Sequence, residues 1–295
     1  MQHPLYTFWV EEKYKKRKEG VFLRSRRTDI TVEPLGNGIW RLNEYDFVNC
    51  FLVEGEEKAC LIDTGAGVAD IAAVAKSLTD KPITVLITHA HADHAGGAVW
   101  FPEVYIHPAD KKASHLSMST IGRAYFLYSH QYKRKTHHVP YSASLQKDFR
   151  PVLKDLNEGD TFDLGGRVIE TWLTPGHTPG SVTFRDSLTG DLFTGDNVTP
   201  MVTLHFPRGE TVETWLEGAK RTLALEGEGR LLVGHGNQPV PKEWLAAVIG
   251  WAEELVQKGN GKGRKVRTKR GEEKVPCLVY RQNRVTGASR AKEQK

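Results

Sequence analysis

Thr88-His89-Ala90-His91-Ala92-Asp93-His94 places three histidines and an aspartate within six residues, and its flanks say how they are presented. Val85-Leu86-Ile87 runs into it and Ala95-Gly96-Gly97 follows. A short apolar run met by glycines reads as a buried strand ending in a tight loop that opens a helix. Side chains alternate along extended backbone, so His89 and His91 can face the same way. The turn into the helix then redirects Asp93 and His94 toward a neighbouring point. Imidazoles with one carboxylate suit zinc, iron or manganese better than calcium or magnesium, which prefer all-oxygen sets.

Three more metal-compatible side chains lie downstream, each in a glycine-bounded turn after an apolar run. His177 sits in Leu173-Thr174-Pro175-Gly176-His177-Thr178-Pro179-Gly180-Ser181, Asp196 ends Asp191-Leu192-Phe193-Thr194-Gly195-Asp196, and His235 follows Leu231-Leu232-Val233-Gly234. A sheet carrying a site along one rim would supply such loops. With its HxHxDH run, later His, later Asp and final His, the chain resembles the metallo-β-lactamase-fold hydrolases from about Ile30 to His235. Within that family its complete ligand set is similar to those of the glyoxalase-II-type thioesterases and acyl-homoserine lactonases.

The resemblance implies a division of labour. His89, His91 and His177 correspond to the first metal position, Asp93, His94 and His235 to the second, and Asp196 to the bridging carboxylate. Leu61-Ile62-Asp63-Thr64-Gly65 resembles the family's first motif, in which the aspartate, here Asp63, supports a ligand without binding metal. The implied cofactors are two zinc ions, with iron or manganese as alternatives. Such a pair, roughly 3.5–4 Å apart, can share a hydroxide formed at about neutral pH. The implied activity is cleavage of an ester, thioester, lactone or lactam bond in a small molecule. Asp93 would orient the hydroxide and shuttle a proton. Two other chemistries of the same fold stay open: a mononuclear iron persulfide dioxygenase, and a phosphodiesterase or nuclease. A purely metal-binding module is disfavoured by the complete set, and a flavodiiron carrier by His91, where such domains place Glu. The implied architecture is α/β, a four-layer αββα sandwich of two mixed sheets flanked by helices.

Bulk properties agree with an enzyme rather than a membrane or disulfide-framed protein. The 295 residues suffice for a large core, as one domain or two halves. Cys50, Cys60 and Cys277 are odd in number and widely spaced, which argues against a disulfide framework and a cysteine metal site. No run approaches the roughly 20 apolar residues of a membrane span. Leu5–Val10 is too short for a signal-peptide core, so a cytoplasmic location is expected. Charge is uneven. Residues 258–295 hold 13 Lys+Arg against 3 Asp+Glu, a net of +10, so the remaining 28 and 33 leave residues 1–257 at −5. By charge alone that tail could meet nucleic acid or a membrane. It lacks the interleaved aromatics of a stacking surface, and it reads instead as a solubilising terminus. Within it, Val275–Tyr280 and Arg284-Val285 are candidates for a small hairpin.

Strands are expected near Ile30–Glu33, Ile39–Leu42, Val48–Val53 and Ala59–Ile62, then a helix over Val68–Leu78. A second series covers Thr161–Leu164, Val168–Leu173, Ser181–Arg185 and Asp191–Thr194, with helices over Val212–Leu225 and Trp244–Val256. In the last, Trp244, Val248, Trp251 and Leu255 form one apolar stripe. The organisation expected is an N-terminal extension (1–28), a catalytic domain (29–257) with a helical insert at about 108–150, and the basic tail (258–295). In the insert, Met118, Ile121, Tyr125, Tyr128 and Tyr132 recur at spacings of three and four, so one helical face would carry them. That face is either ordinary core or a lid over the site, with Tyr125, Tyr128 and Tyr132 bordering substrate. His205 is a further substrate-side candidate, whereas His107 reads as a hydrogen-bonded strand-end residue. The expected partner is a small-molecule substrate; oligomeric state is not legible.

Overall fold

The computed structural model describes residues 30–133, 150–204, 209–225, 229–257, 265–270 and 273–279. Two compact units are distinguished, one running to Trp172 and including Phe184–Thr189, the other formed by Leu173–Thr183 and the chain from Gly190 onward.

The first unit is built on a seven-stranded sheet. Strands β1 (Ile30–Gly36), β2 (Ile39–Glu44), β3 (Val48–Glu54) and β4 (Ala59–Ile62) pair antiparallel in sequence order. After α1 (Ile71–Leu78) the direction changes: β5 (Ile83–Leu86) lies parallel to β4. The short α2 (Ala92–Ala95) and a 3-10 turn (Gly96–Trp100) lead to β6 (Glu103–Ile106), then α3 (Pro108–Met118) and α4 (Thr120–Lys133) lead to β7 (Val152–Asp155), again parallel. The β3 and β4 strands are buried on both faces apart from the last residue of β3, as their near-continuous apolar runs require. Leu42, Cys50, Leu52, Leu61, Ile71, Val85 and Val104 belong to one core cluster.

A second mixed sheet runs β13-β11-β10-β9-β8. Its strands are β8 (Thr161–Asp163), β9 (Val168–Leu173), β10 (Val182–Asp186), β11 (Leu192–Gly195) and, after β12 (Val202–Thr203) and α5 (Val212–Ala224), β13 (Leu231–Val233). The second unit has its own core, in which α5 and α6 (Lys242–Gln257) bury Trp215, Leu216, Leu245, Val248, Ala252 and Leu255. Trp244 and Trp251 of the expected stripe sit at its half-buried edge.

Three sequence expectations are corrected. The helix expected from Val68 begins at Ile71, because Asp70 caps it by accepting a hydrogen bond from the Ala73 amide at 3.0 Å. Among the described residues the C-terminal hairpin is formed by β14 (Lys265–Arg270) with β15 (Glu273–Val279), a partner strand that precedes Val275, and Arg284-Val285 lie outside the described residues. Pro276 is accommodated where the register shifts, between the Val266–Leu278 and Arg267–Pro276 pairs. The insert is helical, but as two helices broken at Ser119. Met118 closes α3 inside the core, whereas Ile121 and Tyr125 on α4 are 77% and 73% exposed. No single buried face carries the stripe. The side chains of Tyr128 and Tyr132, residues 1–28 and His205 lie outside the described residues.

Candidate metal centre

In the first unit, β5 ends at Leu86, and Ile87 beyond it donates its amide to the Tyr105 carbonyl at 2.9 Å. Thr88 then meets Asp63. The Asp63 carboxylate accepts the Thr88 amide at 2.8 Å and the Thr88 hydroxyl at 2.8 Å, and it lies 2.7 Å from His94 Nδ1. Asp63 adopts a left-handed backbone conformation, φ 62°, as it turns out of β4. His89 Nδ1 lies 3.1 Å from the Thr88 hydroxyl. The loop between the first two histidines is fixed from α3, whose buried Asp110 accepts the Ala90 amide at 2.8 Å. His91 is the extended residue before α2, and its carbonyl accepts the Ala95 amide at 2.8 Å.

That local fold gathers four donors. The His89 ring lies 4.8 Å from that of His91 and 4.1 Å from that of His94, centroid to centroid. Asp93 Oδ2 stands 3.8 Å from His94 Nε2. His89, Asp93 and His94 are buried, and His91 is half-buried.

The second unit gathers the other three. His177 lies in the turn after β9, its amide donating to Asn197 Oδ1 at 3.0 Å and its Nδ1 to the Thr203 carbonyl at 2.7 Å. Asp196 follows β11 and His235 follows β13, two strands that run parallel side by side. Asp196 Oδ2 stands 3.5 Å from His177 Nε2 and 3.2 Å from His235 Nε2. One carboxylate oxygen thus faces two imidazoles. Trp215, fully buried on α5, donates its indole N–H to the Asn197 carbonyl at 2.9 Å and so anchors the turn after Asp196.

The donor chemistry fits a pair of transition-metal ions. In His94 and His177 the Nδ1 atom is held by an acceptor and in His89 by a hydroxyl, which leaves Nε2 as the ligating nitrogen. Such outer partners fix the tautomer and ring orientation of metal-ligating histidines. Asp110, Asn197, Thr203 and Trp215 support this arrangement, and sequence reasoning missed all four. Only Asn197, next to Asp196, stood beside a visible signal. His107 caps α3, its Nδ1 accepting the Ala109 amide at 3.3 Å, in keeping with a structural role.

Residues 44–241 match the family model of the metallo-β-lactamase superfamily. The chain belongs to that superfamily. Among curated relatives, the acyl-coenzyme A thioesterase MBLAC2 from Gallus gallus is 28% identical over 226 residues, spanning 70% of this chain and 80% of its own. Among solved structures, a metallo-β-lactamase from Erythrobacter litoralis superposes with a TM-score of 0.56 at 16% identity, over 79% of this chain and 100% of that one. TTHA1623, solved in a di-iron-bound form, is 28% identical with a TM-score of 0.50, over 68% of this chain and 92% of that one. Two mixed sheets with helices are thus the metallo-β-lactamase fold; membership together with the thioesterase relatives supports a hydrolase, and the His and Asp groups could hold a divalent metal. No described helix is long and apolar enough to cross a membrane.

Proposed function

We propose that this metallo-β-lactamase-fold protein is a dinuclear zinc hydrolase that cleaves thioesters of acyl-coenzyme A type, acting in the cytoplasm. His89, His91 and His177 would hold one ion, Asp93, His94 and His235 the other, with Asp196 serving both. The observation that carries the reading is that Asp196 Oδ2 lies 3.5 Å from His177 Nε2 and 3.2 Å from His235 Nε2, which supports a bridging role. The thioesterase relatives support the bond class. The di-iron form of TTHA1623 supports two-metal occupancy and keeps iron as the alternative ion.

Bound zinc supplies Lewis acidity, which brings water within reach of ionisation at about pH 7. The chain does the rest. Asp63 and the Thr203 carbonyl hold His94 and His177 in one tautomer, so the donor array needs no reorganisation. Asp93 orients the water and accepts its proton. The water oxygen adds to the acyl carbon, the carbon–sulfur bond breaks, and the thiolate leaves with the proton Asp93 has held. Carboxylic acid and thiol result.

The test is elemental analysis of native protein coupled to a panel of acyl-CoA, lactone, β-lactam and phosphodiester substrates. Two metals per chain with preferential acyl-CoA hydrolysis is the expected result. One tightly held iron with oxygen consumption on a persulfide would replace the hydrolase with the dioxygenase, and phosphodiester preference would overturn the thioester assignment.

A further inference from the structure

Glu44 is a buried carboxylate that the chemistry above does not use. It ends β2 at the tip of the β2–β3 hairpin and is 3% exposed. Its Oε2 accepts the Ala66 amide at 2.6 Å, and its Oε1 accepts the Val68 and Ala69 amides at 3.1 and 2.9 Å. Both oxygens are therefore committed to backbone donors of one loop, the segment from Thr64 to Ala69 that joins β4 to α1. Gly65 has φ 72°, and a Cβ there would meet Glu44 Oε2 at 2.6 Å, so the loop is shaped around this carboxylate.

The same loop is tied directly to the helix that carries Asp93 and His94. Thr64 donates its amide and its hydroxyl to the His94 carbonyl at 2.8 and 2.7 Å. Gly97 donates to the Gly65 carbonyl at 3.0 Å, and the Gly67 backbone abuts Gly96. Arg123, fully buried on α4, donates to the Gly67 carbonyl at 3.2 Å. Asp63, whose carboxylate holds His94 Nδ1, is the residue at the head of this loop. Displacing the loop would move His94 from two sides at once, through its own carbonyl and through its Nδ1 partner.

We infer that Glu44 is a positioning residue that locks the Thr64–Ala69 loop and thereby sets His94 for the second metal position. This rests on the metal reading above. It is specific to a carboxylate, because three N–H donors converge on two acceptor oxygens. A glutamine amide group would turn its own N–H₂ toward a backbone N–H in either orientation. Burial raises the Glu44 carboxyl to about 7; the three amide bonds pull it down, and the charge of Asp93 pushes it up again. The other ionisable groups around it are Cys50 on β3, whose thiol is pushed up by burial and then by Asp63, Glu44 and Asp93, and Arg123, which meets the same loop at Gly67.

The test compares wild type with Glu44→Gln, starting from metal-free protein titrated with zinc. The expected result is two zinc ions bound by both proteins, with the weaker-held ion losing roughly 10–100-fold in affinity in the variant, the range for outer-partner mutations. The amides of Ala66, Val68 and Ala69 should exchange faster in the variant, and the ¹⁵N signature of His94 should show mixed tautomers. Unchanged zinc affinity with unchanged His94 tautomer overturns the positioning role. Wild type that binds no zinc overturns the metal reading instead. Should the variant fail to fold, wild type alone decides. Zinc loading should slow exchange at those three amides, and exchange indifferent to zinc overturns the inference.

Discussion

Single side chains here act through what they hold. Asp93 is proposed both to ligate and to accept a proton, and Asp93→Asn separates these duties: an amide oxygen still coordinates weakly but takes no proton near neutral pH. Turnover should fall at least 100-fold while total metal falls by less than half, and a loss of activity strictly proportional to lost metal would leave Asp93 a ligand only. Glu44 makes a prediction about stability. Its folded carboxyl sits at about 7 against an ordinary 4.5, so the protonated form is favoured by folding. A raised carboxyl contributes stability that is complete below about pH 4.5 and is lost as pH rises through about 7. At about 1.4 kcal/mol per pH unit, metal-free wild type should lose about 3 kcal/mol relative to Glu44→Gln between pH 4.5 and 7. Denaturant titrations at pH 4.5 and pH 8 measure this, and a pH-independent gap between the two proteins refutes it. The proposed ligands were legible because metal chemistry confines candidates to His and Asp at fixed offsets. Glu44 was not, since a buried glutamate that serves backbone amides has no spacing rule in sequence.

At the level of elements, the strands and most helices followed from runs and periodicity, and the departures have local causes. Val68–Asp70 carries a helical pattern, yet Glu44 takes the amides of Val68 and Ala69 and Asp70 caps the helix, so the helix starts late. The insert pattern of Met118, Ile121 and Tyr125 is helical in period, but the break at Ser119 rotates α4 away from the face Met118 buries. Tyr125 is therefore solvent-facing, and Tyr125→Ala should leave the melting temperature within about 1 °C, since exposed substitutions seldom exceed ±0.5 kcal/mol. A drop of several degrees would mean the ring is packed against something. The opposite is expected of α5. Trp215 is buried and its indole N–H serves the Asn197 carbonyl, next to Asp196. Trp215→Phe removes that donor and leaves a buried carbonyl unsatisfied, a cost of about 1–3 kcal/mol. Metal retention should fall with it, and full retention at unchanged affinity would show that the turn holds Asp196 without the indole.

For the whole molecule, the sequence conveyed a family and an architecture but not the partition of the chain. The proposed ligands are distributed over two compact units, each with its own hydrophobic core: His89, His91, Asp93 and His94 on one, His177, Asp196 and His235 on the other. Ions that bind the native state alone stabilise it by mass action, about 4 kcal/mol at a thousandfold excess over the dissociation constant. Removing the metal withdraws that term while leaving both cores intact. Metal-free protein should therefore keep its far-ultraviolet circular dichroism at 25 °C and melt at a lower temperature. Asp196→Ala should resemble the metal-free protein even in excess zinc, because a bridging oxygen serves both ions. A variant that still binds two zinc ions with wild-type affinity and melts at the temperature of the loaded protein would show that Asp196 does not bridge, and the dinuclear reading would lose the residue on which it depends.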